Sequence, residues 1–372
     1  MSITTIPATT KTDTVPQDNR LEPRTAEAAP ATPPAQYTVS ASNTRRVIGA
    51  VVGVVLLLVV CALSVAIGAK TIPLGTVVDA VFSGAHTDDA IIIRELRVPR
   101  TVLGLIVGMA LGVGGALIQG MTRNPLADPG LLGVNAGSAF FVAVAVGLLG
   151  LTGIWSYVWF AFAGAAVVSV AVYLLGSMGR AAPSPIRLTL AGVAVSALLT
   201  GVTTGLTLLD PEAFDQMRYW RAGSIAGRDL SVTAAVAPFI VVGLVLAVVA
   251  ARSLNALALG DDTARSLGAN VGRTRVIGTV AVTLLCGAAT AAAGPISFVG
   301  LMIPHIARWV VGPDQRWIVA YSVLGGAILV LLADVVGRVI IRPGEMQVGV
   351  VTAFIGAPVL ILLVRRAKAS GL

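Results

Sequence analysis

From Val47 to Ala69 the chain runs 23 residues without a charge, directly after Arg45-Arg46. A bilayer core is ~30 Å thick and a helix rises ~1.5 Å per residue, so ~20 apolar residues span it. Nine similar stretches follow. The predicted spans are 47–69, 99–120, 130–150, 155–178, 186–208, 231–251, 275–294, 296–312, 317–338 and 347–366. Lipid offers no water to a backbone, so a spanning chain is either helical or a closed barrel. These runs do not alternate with period two, which selects helices. Only 12% of residues are charged, against about a quarter in a soluble domain. The expected fold is an all-α, polytopic membrane protein of about ten transmembrane helices, over residues 45–372.

Residues 1–44 are rich in Thr, Pro, Ala and Ser with scattered charges. That composition cannot bury a core, so the segment is expected to be a disordered cytoplasmic tail. It has no apolar stretch of the signal-peptide kind. Ten spans place both termini on one side, and the positive-inside rule makes that side the cytoplasm. Nine of the 26 basic residues then fall outside: Lys70, Arg94, Arg97, Arg100, Arg218, Arg221, Arg228, Arg338 and Arg342. The other 17 support the orientation, and the nine need a reason.

Several functions are disfavoured by what the residues lack. The formal charge of +8 is spread between apolar runs rather than gathered in a patch, which argues against nucleic acid. Cys61 and Cys286 lie within apolar runs and read as packing residues. His86 and His305 are too few and too distant for a metal site, and His305 reads as structural, near a helix end. A phosphate-binding Walker loop needs Gly-Lys-Ser or Gly-Lys-Thr, and none of Lys11, Lys70 and Lys368 follows a glycine. No catalytic residues are assigned. Ion coupling would call for carboxylates within spans. The clear candidate, Asp334, stands four residues before Arg338 and can pair with it along one helix face.

The driving force is therefore expected from another subunit, and residues 254–268 are the place to receive it. Asp261 and Asp262 suit a helix N-terminus, and Gly268 suits a left-handed C-terminal cap. The result is a short amphipathic helix, with Ala264 and Leu267 expected on one face, able to dock into a soluble partner. An ordinary loop helix has the same pattern. Elsewhere, Gly104, Gly108 and Gly112 form a small-residue stripe for close helix packing. Pro125-x4-Gly130-Leu131-Leu132 is echoed by Pro295-x4-Gly300-Leu301-Met302 on the opposite side, the pattern of an inverted repeat. Trp220 either faces a path entrance or anchors at the interface.

Taken together, several motifs resemble the FecCD family of permeases from ATP-driven importers of ferric siderophores, haem and cobalamin. They are Arg97-Val98-Pro99-Arg100 and the run from Arg123-Asn124-Pro125-Leu126 to Gly133-Val134. Leu190-Ala191-Gly192-Val193-Ala194, Ala258-Leu259-Gly260 through Leu267-Gly268 and Gly294-Pro295 through Pro304-His305 follow. Leu332-Ala333-Asp334 and Gly349-Val350 through Ala357-Pro358 complete the set.

The resemblance implies a ten-helix subunit in the bacterial cytoplasmic membrane that dimerises with a second copy or a paralogue. Two ATPase subunits join from the cytoplasm, carrying ATP and Mg, and one extracytoplasmic substrate-binding protein docks outside. This chain is then no enzyme and holds no cofactor of its own. In a cobalamin-carrying permease of the family, external arginines meet the binding protein's acidic residues; the matching positions are Arg97, Arg100 and Arg338. Arg338 can equally pair with Asp334. The resemblance assigns ATPase coupling to Leu257, Gly260, Asp261, Ala264, Arg265, Leu267 and Gly268, and an inner gate to Asn124, Pro125 and Leu126. Pro183-Ser184-Pro185-Ile186 and Gln347 depart from the family pattern. The expected function is import of a ferric siderophore by alternating access. Cobalamin or haem import is the nearest alternative, and an ion-coupled transporter or energy-independent channel a more distant one.

Overall fold

The computed structural model describes residues 43–82, 87–151, 153–178 and 185–369, within one unit spanning Ser40–Leu372. Expectations for the tail therefore fall outside the described residues, except that Asn43 and Thr44 already belong to the first helix. His86 and the Pro183-Ser184 pair also lie outside them.

All regular elements described are helical. They are α1 (Asn43–Ala66), α2 (Leu74–Phe82) and α3 (Asp88–Ile91), which passes through a π-helical stretch (Ile92–Arg97) into α4 (Val98–Thr122). A 3₁₀ turn (Pro129–Leu132) leads into α5 (Val134–Gly147), followed by α6 (Ile154–Ser177), α7 (Pro185–Leu208) and α8 (Pro211–Arg221). Next come α9 (Leu230–Leu257), α10 (Asp261–Ser266), α11 (Val271–Ala293), α12 (Val299–Val311), α13 (Gln315–Ile340) and α14 (Val348–Ala369). Each expected span lies on a helix. Among the described residues, seven helices are long and apolar enough to cross a membrane, and three apolar helices, Val134–Gly147, Val299–Val311 and Val348–Leu362, are shorter.

Burial separates centre from periphery. The apolar windows of α4 and α11 are 78% and 72% buried inside the chain, whereas those of α1 and α7 are 11% buried and turn outward. Glycine puts α4 at the centre. A Cβ on Gly108 would stand 2.5 Å from Gly326 O and 2.6 Å from Ala327 Cα, both backbone atoms of α13. Gly112 likewise faces the Ser322 carbonyl. The expected stripe thus lets two helices touch backbone to backbone, where lipid supplies no hydrophobic drive between them.

The short helices have a geometric cause. Gly300, just inside α12, packs against Gly115 and the Leu111 carbonyl of α4, and Pro129 reaches both Gly300 and Gly114. Gly115 lies seven residues, about 10 Å, before the end of α4. The two echoed proline-glycine turns therefore meet inside the bundle, about 10 Å from the C-terminal end of α4. α5 runs from there toward one end and α12 toward the other. The predicted spans 130–150 and 296–312 are correspondingly shortened. Polar side chains serve the exposed backbone: Gln119 Nε2 donates to Gly300 O and Leu301 O at 3.3 and 3.0 Å, and Asp128 Oδ1 accepts from Gly130 N at 2.7 Å.

Because the obstacle to a side chain at Gly108 is backbone, a neighbour cannot swing aside. Gly108→Val is expected to cost about 1–3 kcal/mol and to lower the Tm of the detergent-solubilised protein. Gly75→Ala, in open space on α2, should leave it unchanged. Size-exclusion chromatography after a temperature series checks both.

Candidate functional site

Two polar clusters stand at opposite ends of α4, whose 25 residues measure about 37 Å. At its N-terminal end the chain must finish α1 without a left-handed glycine cap, since Gly68 has an ordinary backbone conformation. The last four carbonyls of any helix lack partners within it. Here Leu63 O accepts from Ile67 N at 2.8 Å, Ser64 O from Arg338 Nη1 at 2.7 Å, and Val65 O and Ala66 O from Arg97 Nη1 at 3.0 and 2.6 Å. Beyond the helix, Ile67 O accepts from Arg338, Gly68 O from Arg342 and Lys70 O from Arg97, at 2.8, 3.2 and 2.5 Å. Three cations thus meet the negative end of the α1 dipole. A Cβ on Gly68 would stand 2.6 Å from Arg97 Nη2, so a side chain there would displace the guanidinium from its carbonyls.

Asp334 ties this cap to α4. Its carboxylate accepts from Arg100 Nε at 3.0 Å and Nη2 at 2.7 Å, and from Arg338 Nε at 2.9 Å and Nη2. Arg100 Nη1 reaches Glu345 at 2.6 Å. Arg97, Arg100 and Arg338 are 5%, 9% and 1% exposed, so the guanidinium groups expected to face an outside partner are turned inward in this structure. Four further basic residues of that end are also engaged. Lys70 pairs with Asp89, Arg94 donates to Ala80 O, Arg218 pairs with Asp215 and Arg228 donates to Ala292 O. Eight of the nine basic residues on the expected outer side thus meet helix ends or carboxylates, and Arg221 is exposed. A cavity of about 430 Å³ opens above the cluster, lined by Lys70, Leu96, Arg97, Arg100, Arg338 and Glu345. Trp220 is buried beside a neighbouring cavity of about 360 Å³, with Tyr157, Gln216, Arg228 and Gln347.

At the other end, α9 extends through Leu257, so the expected coupling segment begins inside it. α10 follows, opened by Asp261 and Asp262 and closed as foreseen at Gly268, φ +80°. Gly268 N donates to Arg265 O and Ala269 N to Ala264 O, both at 2.9 Å, the paired bonds of a Schellman cap. Ala264 and Leu267 do not share a face: Ala264 is fully buried with Leu257, while Leu259 and Leu267 are 63% and 64% exposed. Arg265 pairs with Asp262 at the surface. Of the expected coupling residues, Arg265, Leu267 and Gly268 are therefore open to a partner, and Leu257 and Ala264 anchor the segment.

The expected gate residues Asn124, Pro125 and Leu126 form an exposed turn next to this segment. Asn124 Oδ1 accepts from Leu126 N at 2.9 Å, which fixes the turn locally. The residue before it, Arg123, adopts the left-handed conformation at φ 52°, ψ 30°, which costs a non-glycine residue about 1–2 kcal/mol. Sequence reasoning quotes Arg123 within a motif and assigns it no role. It contacts Asp261, whose other oxygen accepts from Arg275 Nη2 at 2.8 Å. His305 lies in α12, edge-on to the Trp309 ring at 4.8 Å. Among the described residues, no three His, Cys, Asp or Glu side chains gather as metal ligands.

Residues 56–366 match the sequence profile of the FecCD transport family. The chain belongs to that family. It is 50% identical to the ferric enterobactin transport system permease protein FepD of Escherichia coli K12 over 323 residues, covering 87% of this chain and 96% of that one. It is 40% identical to the probable siderophore transport system permease protein YfiZ of Bacillus subtilis 168, covering 84% and 93%. A solved metal-chelate type ABC transporter in an inward-facing conformation superposes with a TM-score of 0.73 at 27% identity, covering 86% of this chain and 99% of that chain. This FecCD protein is thus the permease of an ABC importer, a membrane protein built of helices.

Among the described residues, Asp334 is the carboxylate shared by two buried arginines; its removal leaves Arg338 without a counter-ion and Arg100 with only the partly exposed Glu345. Asp334→Asn is expected to cost about 3–5 kcal/mol, the usual penalty for orphaning a buried charge. Glu345→Gln, whose side chain is 33% exposed, should cost under ~1 kcal/mol. Membrane yield and Tm of the two variants, measured side by side, check the contrast.

Proposed function

We propose that this permease imports a ferric siderophore across the bacterial cytoplasmic membrane by alternating access. The carrying observation is the end-to-end match, at 50% identity, with a ferric enterobactin permease. Both termini and α10 face the cytoplasm, and the Asp334 end faces out. Two ATPase subunits, which hold ATP and Mg, seat on the exposed Leu259, Arg265 and Leu267. A substrate-binding protein docks at the outer end. There Arg97 and Arg338 shape the docking face from beneath, and Arg100, with Glu345, stands at its opening. Asn124, Pro125 and Leu126 close the inner end of the path.

A second permease subunit, another copy or a paralogue, packs against α7. Gly201 and Gly205 support this: four residues apart, each has nothing within 4 Å of where a Cβ would stand. Such a small-residue pair suits close helix approach. Ion coupling is disfavoured because Asp334 is committed to two arginines rather than free to bind and release a proton.

Uptake of ⁵⁵Fe-labelled ferric enterobactin in cells lacking the permease, with and without this gene and its partner ATPase and binding protein, tests the reading. At least tenfold restoration that depends on the ATPase is expected. Restoration without the ATPase would return the channel or ion-coupled readings. Restoration of haem or cobalamin uptake in place of the ferric chelate would change the substrate.

A further inference from the structure

Asp261 joins three parts of the inner end that the sequence keeps far apart. It is the first residue of α10, on the segment proposed above to seat the ATPase. Its Oδ2 accepts from Arg275 Nη2 at 2.8 Å, and Arg275, with a side chain only 4% exposed, is set in the first turns of the central helix α11. Its Oδ1 faces Arg123 Nη2 at 3.4 Å. That separation is an ion pair without a hydrogen bond, and Arg123 keeps 39% of its side chain exposed. One contact is thus tight and anchored, and the other loose and adjustable.

Arg123 is also the last residue before the turn Asn124–Leu126, in a left-handed conformation that surrounding contacts must hold. Gly260, next to Asp261, brings α10 close to it: a Cβ there would be 3.7 Å from Arg123 Nη1. The neighbouring pair Asp262–Arg265 is local to α10, with Asp262 99% exposed, and reaches neither the turn nor the core. Two guanidinium groups share one carboxylate, so displacing α10 strains the looser contact, to Arg123, before the tighter one, to Arg275.

We propose that Asp261 is the positioning residue that conveys movement of α10 to the gate turn, with Arg123 as the moving arm and Arg275 as the fixed point. This rests on the reading of residues 254–268 as the ATPase seat. When the ATPases close and shift α10, the carboxylate stays with Arg275 and its pull on Arg123 changes. The turn that follows Arg123 moves with it.

The test uses the assembled transporter with its ATPase and binding protein in proteoliposomes, with ⁵⁵Fe-labelled ferric enterobactin as probe. Asp261→Asn and Arg123→Ala are each expected to raise the ATP hydrolysed per iron imported at least tenfold. The double variant should be no worse than either single one, since both break one link. Asp261→Glu should keep the ratio within threefold of the parent. A substrate-free readout runs beside it: spin labels at Leu126→Cys and Arg316→Cys, with Cys61 and Cys286 replaced by alanine, report the turn against the start of α13. An ATP-dependent distance change that disappears with Asp261→Asn supports the link. The same change with or without Asp261→Asn, or none with Asp261 intact, overturns it, as does an unchanged ATP-to-iron ratio. Failure of the unaltered transporter to carry the chelate would instead count against the substrate reading, and the spin-label result would still decide this one.

Discussion

A backbone carbonyl left without a donor in lipid costs several kcal/mol, and much of this fold follows from avoiding that cost. α1 ends without a glycine cap, and Arg97, Arg338 and Arg342 reach in from two other helices to receive its carbonyls. Those arginines then need a counter-charge, which Asp334 supplies to Arg338 and also to Arg100. The same demand operates inside the bundle, where two chain turns interrupt the helical ladder. Gln119 serves the Gly300 and Leu301 carbonyls, and Asp128 accepts from the Gly130 amide. Polar residues within the bundle are therefore mostly explained by backbone they complete.

The two ends answer the demand differently. At the Asp334 end the charges are sealed, and the surface above them is a shaped cavity. At the α10 end the pairs are partly exposed, the turn beside Arg123 is open, and leucines face outward. A sealed cluster suits a face that keeps its form while partners come and go. A half-exposed one suits a face that shifts with its partner.

Hydropathy made the helices legible, because lipid imposes one length and one polarity on all of them. The caps of α10 were legible too, since Asp261 and Gly268 are local signals. The i,i+4 pair Asp334–Arg338 could be foreseen for the same reason. The failures are all non-local. A window average cannot tell a crossing helix from one that starts inside the bundle, so α5 and α12 were drawn too long. Charges at Arg94, Glu95 and Arg97 hid the fact that the second span begins at Asp88. Motif likeness singled out Arg97, Arg100 and Arg338 for docking, but their bonds to the end of α1 and to Asp334 are visible only in the tertiary structure. Arg123 opens a motif but had no role assigned to it, and its left-handed backbone and its reach to Asp261 become visible only once α4 and α10 are brought together.

Asp334 and Arg338 sit one turn apart on the same helix, and that has a consequence for biogenesis. A lone Arg or Asp within a spanning helix raises the insertion cost, by about 2.5–3.5 kcal/mol at the centre and less toward an end. α13 carries its own counter-ion, so it can leave the translocon already neutralised. Arg100, made more than two hundred residues earlier on α4, has no such companion on its helix and waits at the water-facing rim. The order of synthesis therefore makes α13 the helix whose arrival gives the earlier-made Arg100 its buried partner.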